Sequence, residues 1–130
     1  MSLETNKKLA REFLEASCTG NTSRMRDMTT DDFTWWVMPS TAYSGVHQKE
    51  EFLSMLPQIF AEADGPFTMR FDEFTAEDDR VSVSAKGHLK MKNGKVYASD
   101  YHILLFLRDG KIARGKEYMD TAHVAEVFGS

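Results

Sequence analysis

Residues 81–119 read VSVSAKGHLKMKNGKVYASDYHILLFLRDGKIARGKEYM, and this stretch decides the fold. Apolar and polar side chains alternate through most of it, which is the two-residue period of a strand with one buried face. Asn93-Gly94 and Asp109-Gly110 interrupt the alternation, and both dipeptides favour the positive φ angles of hairpin turns. The stretch therefore predicts three consecutive antiparallel strands, which run from Arg80 to Met91, from Val96 to Arg108 and from Lys111 to Met119.

The part of the sequence before residue 81 has mainly the periodicity of helices. Apolar residues at helical spacing predict a first helix that Thr5 caps and that ends before Gly20. A third helix is predicted from about residue 48 to 63, and Pro57 is expected to kink or split it because proline removes a backbone donor. Between these two helices we expect a short helix at 21–28, a strand at 33–38 and a loop at 39–45. After them we expect a strand that begins at 67 and a terminal helix at 121–128.

The order of these elements predicts the fold class. Helices come first and hairpin-linked strands follow, which is typical of an α+β fold with an antiparallel sheet. Long antiparallel strands twist and coil until one face of the sheet becomes concave, and Gly87 is expected to mark a bulge that sharpens the bend. No linker or repeat divides the sequence, so residues 1–130 are predicted to form one domain whose helices close the concave face around an apolar pocket.

The composition excludes several classes of protein. The net charge is −4, and the basic residues do not cluster, so there is no electrostatic footprint for nucleic acid. No apolar run approaches the ~20 residues of a membrane-spanning helix, and no signal peptide is expected. Cys18 is the single cysteine, so an internal disulfide is excluded. We therefore expect a cytoplasmic protein that binds neither nucleic acid nor membrane.

Several short motifs resemble the SnoaL-like proteins. This family belongs to the superfamily that includes nuclear transport factor two, ketosteroid isomerase, limonene epoxide hydrolase and scytalone dehydratase. The motifs are WWVMPSTAYSG at 35–45, DRV at 79–81, FLRDGKI at 106–112 and EYMDT at 117–121. The resemblance implies a cone-shaped roll, in which a curved, mostly antiparallel sheet packs against about three N-terminal helices, with a short C-terminal helix. It also implies a homodimer formed through the sheet.

Asp120 is the main catalytic candidate. The resemblance matches it to the aspartate that ends the last strand, which acts as acid/base in SnoaL-type polyketide cyclases and belongs to the catalytic triad of limonene epoxide hydrolase. A carboxyl group at the mouth of an apolar pocket has a raised pKa, which suits proton transfer near neutral pH. Aspartate is also a favoured N-cap, so the sequence leaves open whether Asp120 caps the terminal helix, acts in catalysis, or does both.

Two activities of the superfamily lack their residues here. The epoxide hydrolase triad includes an arginine and a second aspartate two residues apart on one strand, where this sequence has Ser84 and Lys86. Ketosteroid isomerase has an aspartate base near the end of the first strand, where this sequence has Trp, Val and Met at 36–38, and a tyrosine in the first helix, where it has Phe13. Both activities are therefore disfavoured.

Further candidates lie on the middle strands. Asp100 and His102 share one strand face, and His88 lies across the hairpin on the neighbouring strand. If that face is concave, an imidazole oriented by a carboxylate can serve as a general base; otherwise the pair is an exposed strand end or a dimer contact. The three residues match no metal-binding spacing, so no metal site is predicted.

Aromatic side chains supply the candidates for contacts with a substrate. Tyr43 and Tyr118 are the better ones, because each combines an apolar ring with a hydroxyl. Tyr118 also shares strand parity with Asp120, so both are expected to point to one side. The predicted substrate-binding residues are Trp36, Tyr43, Phe60, Tyr101 and Tyr118.

Two functions agree with these observations. The first is a cofactor-independent acid/base enzyme of the isomerase, cyclase or lyase type, which the resemblance implies. In it Asp120, assisted by His102 or His88, moves a proton on a small, mainly apolar carbonyl compound. The alternative is a non-catalytic domain of the same fold that binds a small hydrophobic ligand or serves as a dimerisation module.

Overall fold

The computed structural model describes residues 2–129, and it shows helices packed on one face of a six-stranded sheet. The helices are α1 (Leu3–Cys18), α2 (Thr22–Met28), α3 (Lys49–Ala61) and α4 (Thr121–Phe128). The strands are β1 (Thr29–Val37), β2 (Gly45–Gln48), β3 (Thr68–Glu77), β4 (Arg80–Lys90), β5 (Val96–Arg108) and β6 (Lys111–Met119). The predicted α+β roll is therefore confirmed, with three helices before strand β3 and a short one after β6.

The strands lie in the order β2-β1-β6-β5-β4-β3. Only the β1–β6 pair is parallel among these strands, and the other neighbours are antiparallel. The predicted turns join β4 to β5 and β5 to β6, where Gly94, Asp109 and Gly110 have positive φ angles. The hydrogen-bond register shifts at Phe71/Glu73 and at Phe106/Leu107, and such bulges bend a strand and increase its twist.

Some details differ from the sequence prediction. Strand β2 falls on residues where no strand was predicted, because four residues are too few to show a strand period. Helix α3 is one helix that contains Pro57. The side chain that caps α1 is Ser2, which accepts from the amide of Thr5. Gly87 lies in a continuous register rather than in a bulge, since its pairs with β3 and β5 are unbroken.

The sheet has an inner face that packs against the helices and an outer face that does not. On β4 the inner side chains, such as Val81 and Val83, are fully buried, whereas their outer neighbours Ser82 and Ser84 remain partly accessible. The inner core is mainly aromatic where α1, α3 and β1 meet, and the rings of Trp35 and Phe52 stack with centroids 4.7 Å apart. No helix within residues 2–129 is long and apolar enough to cross a membrane.

Candidate functional site

A cavity of about 140 Å³ lies between the inner face of the sheet and helices α1, α3 and α4. Its walls are almost entirely apolar, with Phe13 from α1, Phe52 and Phe60 from α3, and Phe128 from α4 among them. The sheet supplies the opposite wall from β1, β3, β4, β5 and β6. A cavity with apolar walls and few polar groups is the usual form of a small-molecule site.

Glu117 is the single charged-type residue in the wall of this cavity, within the described chain. It lies on β6 directly opposite Ile103 of β5, so its side chain points to the inner face. The indole Nε1 of Trp35 donates a hydrogen bond to Glu117 Oε1 at 2.7 Å. Among the hydrogen bonds of residues 2–129, this is the one that the carboxyl group receives.

Burial changes the protonation of this carboxyl group. Loss of solvent raises the pKa of Glu117 to about 7, although the Trp35 hydrogen bond and the nearby His47 both lower it. An apolar environment disfavours the charged carboxylate, and this cost exceeds what one hydrogen bond recovers. Near neutral pH both forms of Glu117 are therefore populated, which is the condition under which one group can take up and return a proton.

The position of Trp35 depends on a glycine. Gly115 lies two residues before Glu117 on the same strand face, and a Cβ at this position would be 2.2 Å from the Trp35 ring. Any side chain at Gly115 would therefore displace the indole that holds Glu117.

A pair of tyrosines forms the second polar element of the cavity. Tyr97 and Tyr101 lie on the inner face of β5, and their hydroxyl oxygens are 2.5 Å apart. Burial raises the pKa of Tyr97 to about 12 and that of Tyr101 well above its usual value, and the charge of Glu117 adds to both shifts. Both phenols therefore stay neutral at physiological pH and act as hydrogen-bond donors.

The room for Tyr101 comes from Gly87. A Cβ at Gly87 would lie 2.8 Å from the Tyr101 ring and 3.0 Å from Phe67. This glycine therefore permits close packing of an aromatic ring on β4, which is a different role from the predicted bulge.

Three of the predicted substrate-binding residues line the cavity: Tyr43, Phe60 and Tyr101. Tyr43 comes from the loop after β1 and Phe60 from α3. Their predicted role in substrate binding stays a prediction, but each lies where it can contact a bound molecule.

Asp120 lies outside the cavity wall. Its side chain is exposed and accepts a hydrogen bond from the amide of His123 at 3.2 Å, so it is the N-cap of α4. The capping interpretation is therefore the one that the geometry shows. The catalytic interpretation is not tested by this placement, and it lacks the apolar surroundings on which the predicted pKa shift depended.

The other predicted residues occupy the outer face of the sheet. His102, Asp100 and His88 are exposed there, on the side away from the cavity. The expected His–Asp pair is not formed, because His102 Nε2 contacts Ser82 Oγ at 2.6 Å while Asp100 accepts from Lys86 Nζ at 2.5 Å. The strand period had grouped these residues correctly, but the face they share is the outer one, away from the cavity.

Trp36 and Tyr118 also lie on the outer face, where their rings are 5.2 Å apart. Tyr118 is opposite His102 and Trp36 opposite Lys116, which excludes both rings from the cavity. Within residues 2–129, no three His, Cys, Asp or Glu side chains come together as a metal site.

Comparison with known proteins gives the family. The sequence profile of the SnoaL-like domain matches residues 10–115. The chain belongs to the SnoaL-like domain family. No curated protein matches this SnoaL-like chain closely enough to suggest an activity.

Solved structures agree with this family and show its NTF2-like fold. PrhC from Penicillium brasilianum has a TM-score of 0.86 at 12% identity, covering 95% of this chain and 85% of its own. Bal32a from a soil-derived mobile gene cassette has a TM-score of 0.84 at 19% identity, covering 95% of this chain and 96% of its own. An NTF2-like protein of unknown function from Burkholderia pseudomallei has a TM-score of 0.84 at 17% identity, covering 100% of both chains. At these identities the likeness concerns the fold alone.

Sequence reasoning did not identify Glu117, Trp35 and Tyr97 as site residues of this SnoaL-like protein. One signal was available, since Glu117 alternates with Gly115 and Met119 and is an acidic residue on an otherwise small or apolar strand face. The sequence interpretation followed the opposite parity, that of Tyr118 and Asp120.

Proposed function

We propose that this protein is a cofactor-independent acid/base enzyme that moves a proton on a small, mainly apolar carbonyl compound bound in the cavity. The reaction is of the isomerase, cyclase or lyase type. One observation carries the proposal: a single carboxyl group, Glu117, lies in an otherwise apolar cavity beside two tyrosine hydroxyls.

The proposed chemistry uses both polar elements. The Glu117 carboxylate takes a proton from the carbon next to the substrate carbonyl, and the C–H electron pair becomes the C=C bond of an enolate. The negative enolate oxygen accepts a hydrogen bond from the Tyr97–Tyr101 pair, which stabilises it in the absence of water. The protonated Glu117 then returns its proton to the same or another carbon, so no electrons are gained or lost overall.

Glu117 replaces Asp120 as the proposed acid/base because of its environment. A general base near pH 7 needs a pKa close to the working pH, and burial brings that of Glu117 to about 7. Trp35 fixes one carboxylate oxygen and leaves the other to face the ligand.

Hydrogen exchange tests the proposal without a known substrate. Small cyclic ketones are incubated with the protein in D₂O, and deuterium at the carbon next to the carbonyl is measured by NMR. We expect the protein to accelerate exchange and Glu117→Gln to reduce the acceleration by about 100-fold or more. Glu77→Gln is the matched control, because the same change at an exposed strand end should leave exchange unaffected.

Two other outcomes of the exchange experiment would count against the proposal. Equal exchange by the wild type and Glu117→Gln would contradict the assignment of Glu117. Ketone binding without exchange would favour the alternative, a non-catalytic domain that binds a small hydrophobic ligand.

We also propose that two copies pair through the outer face of the sheet. That face carries large side chains that are only partly covered, including Trp36, Leu104, Phe106 and Tyr118. Arg114 and Lys116 lie over the rings of Phe106 and Trp36, at 3.9 and 4.9 Å from their centroids. Aromatic residues and arginine are enriched at the centres of protein interfaces, which supports pairing here.

A further inference from the structure

The charge of the cavity restricts what it can bind. Apart from Glu117, its wall contains no acidic side chain and no lysine, arginine or histidine within residues 2–129. We propose that the site selects neutral ligands of about one six-membered ring that carry a hydrogen-bond acceptor, and that it rejects carboxylates of the same size. The inference rests on the proposed function in that it names the substrate class of the same site.

The size limit follows from the volume. A cavity of about 140 Å³ is close to the ~150 Å³ cavities with apolar walls that accommodate benzene. The aromatic side chains that surround it, such as Phe52 and Phe60, favour a compact apolar body over a long chain.

The acceptor requirement follows from the tyrosine pair. Two hydroxyls 2.5 Å apart share one hydrogen bond, in which one of them donates. The hydrogen of the other hydroxyl is not used in this bond, although the Ser99 side chain is also a hydrogen-bond partner of Tyr97. A carbonyl or ether oxygen of a ligand can accept that hydrogen, whereas an ammonium group has only donors to offer.

The rejection of carboxylates follows from Glu117. When Glu117 is ionised, a second carboxylate in a cavity this small lies within a few ångströms of it, where repulsion is weakly screened. The other polar groups of the wall are neutral, and Ser17 already donates to the carbonyl of Leu14 at 2.6 Å. An anion would therefore lose its water and find no cation in the cavity wall in exchange.

Three ring compounds with equal numbers of non-hydrogen atoms separate the cases: cyclohexanone, cyclobutanecarboxylate and cyclohexylammonium. Their dissociation constants are measured by NMR titration. The ketone and the carboxylate are compared at about pH 8, above the pKa of about 7 at which Glu117 ionises, and the ketone and the ammonium at about pH 5.5, where Glu117 is protonated and offers the ammonium no opposite charge. We expect the ketone to bind at least about tenfold more tightly than either ion. Equal affinities, tighter binding of either ion, or no ketone binding up to the millimolar range would overturn the proposal.

A variant tests the tyrosine pair separately. The double variant Tyr97→Phe/Tyr101→Phe removes both hydroxyls, because either one left alone would still have a free hydrogen to donate, and it keeps the ring that fills the space above Gly87. It should weaken cyclohexanone binding by about three- to tenfold. Methylenecyclohexane, which has the same shape without the oxygen, is the control ligand, and its affinity should not fall. Unchanged ketone affinity in the double variant would overturn the acceptor requirement.

The proposed ligand class and the proposed proton transfer can fail separately. If cyclohexanone binds selectively but its hydrogens do not exchange, the proposed proton transfer fails and the ligand class stands. If exchange occurs but ions bind as well as the ketone, the ligand class fails and the proton transfer stands.

Discussion

The inner face of the sheet holds Glu117 and Tyr101 in an apolar cavity, whereas the outer face holds His102 and Tyr118 beside solvent. Both faces carry acid/base groups next to aromatic rings, and both come from alternate residues of the same two strands. They differ in solvation. Burial moves the pKa of Glu117 to about 7, while the outer groups stay in contact with water. The chemistry of such groups is therefore set by what covers the strand face.

The largest expected effect comes from filling the space that the inner face needs. Gly115→Val places carbon atoms where Trp35 lies, since even a Cβ would be 2.2 Å from its ring. We expect the free energy of unfolding, measured by urea denaturation, to fall by about 3 kcal/mol or more.

The control adds similar volume to the outer face. Ala98 is exposed on β5, and Ala98→Val should change the free energy of unfolding by less than about 0.5 kcal/mol. Comparable losses in both variants would show that the two faces do not differ in packing.

Glu117 predicts a pH dependence of stability. Its pKa rises from 4.5 to about 7 on folding, so the folded state binds the proton more tightly. The contribution of Glu117 to the free energy of unfolding should be greatest below about pH 4.5 and should fall as the pH rises to about 7. At 1.36 kcal/mol for each pKa unit of the shift, the total loss is about 3 kcal/mol. Urea unfolding of the wild type and Glu117→Gln across this range measures it.

The comparison with Glu117→Gln isolates the effect of Glu117 ionisation on stability, because glutamine cannot ionise. The difference in unfolding free energy between the two proteins should change with pH across this window and be constant above it. A difference that is constant from about pH 4.5 to 8 would mean that Glu117 is solvated as well in the folded as in the unfolded chain.

A smaller effect is expected at the outer face. Leu104 lies in the proposed pairing surface, and Leu104→Lys should weaken association of two copies by about 30-fold, or about 2 kcal/mol. Sedimentation equilibrium of both proteins measures this. A wild type that is monomeric at all concentrations would contradict pairing and leave the outer face as ordinary surface.

The smallest effect concerns Asp120 and decides between its two interpretations. Asp120→Ala should cost about 1 kcal/mol of stability through loss of the α4 cap, whereas Asp120→Asn should cost little, because asparagine caps as well. Neither change should abolish ketone exchange if Glu117 is the base. Loss of exchange in a stable Asp120→Asn protein would instead support the catalytic role that the resemblance implies.

The elements of the fold followed from local patterns. The strand period and the turns around Gly94 and Gly110 predicted β4, β5 and β6, and the chain shows them there. Strand β2 was missed because its four residues are held by pairing with β1 and not by their own period. Pro57 was expected to kink or split α3; it does not split it, and residues on both sides of the proline line the cavity.

For the candidate site, the sequence by itself determined that polar and apolar residues fall on opposite faces of β5 and β6, since alternation is a property of one strand. It also placed Tyr43, Phe60 and Tyr101 among the candidates. Only the tertiary structure decided which face the helices cover, because coverage depends on contacts between residues far apart in the chain. Gly115, Trp35 and Glu117 are an example: β1 and β6 must pair before the indole can reach the carboxyl group.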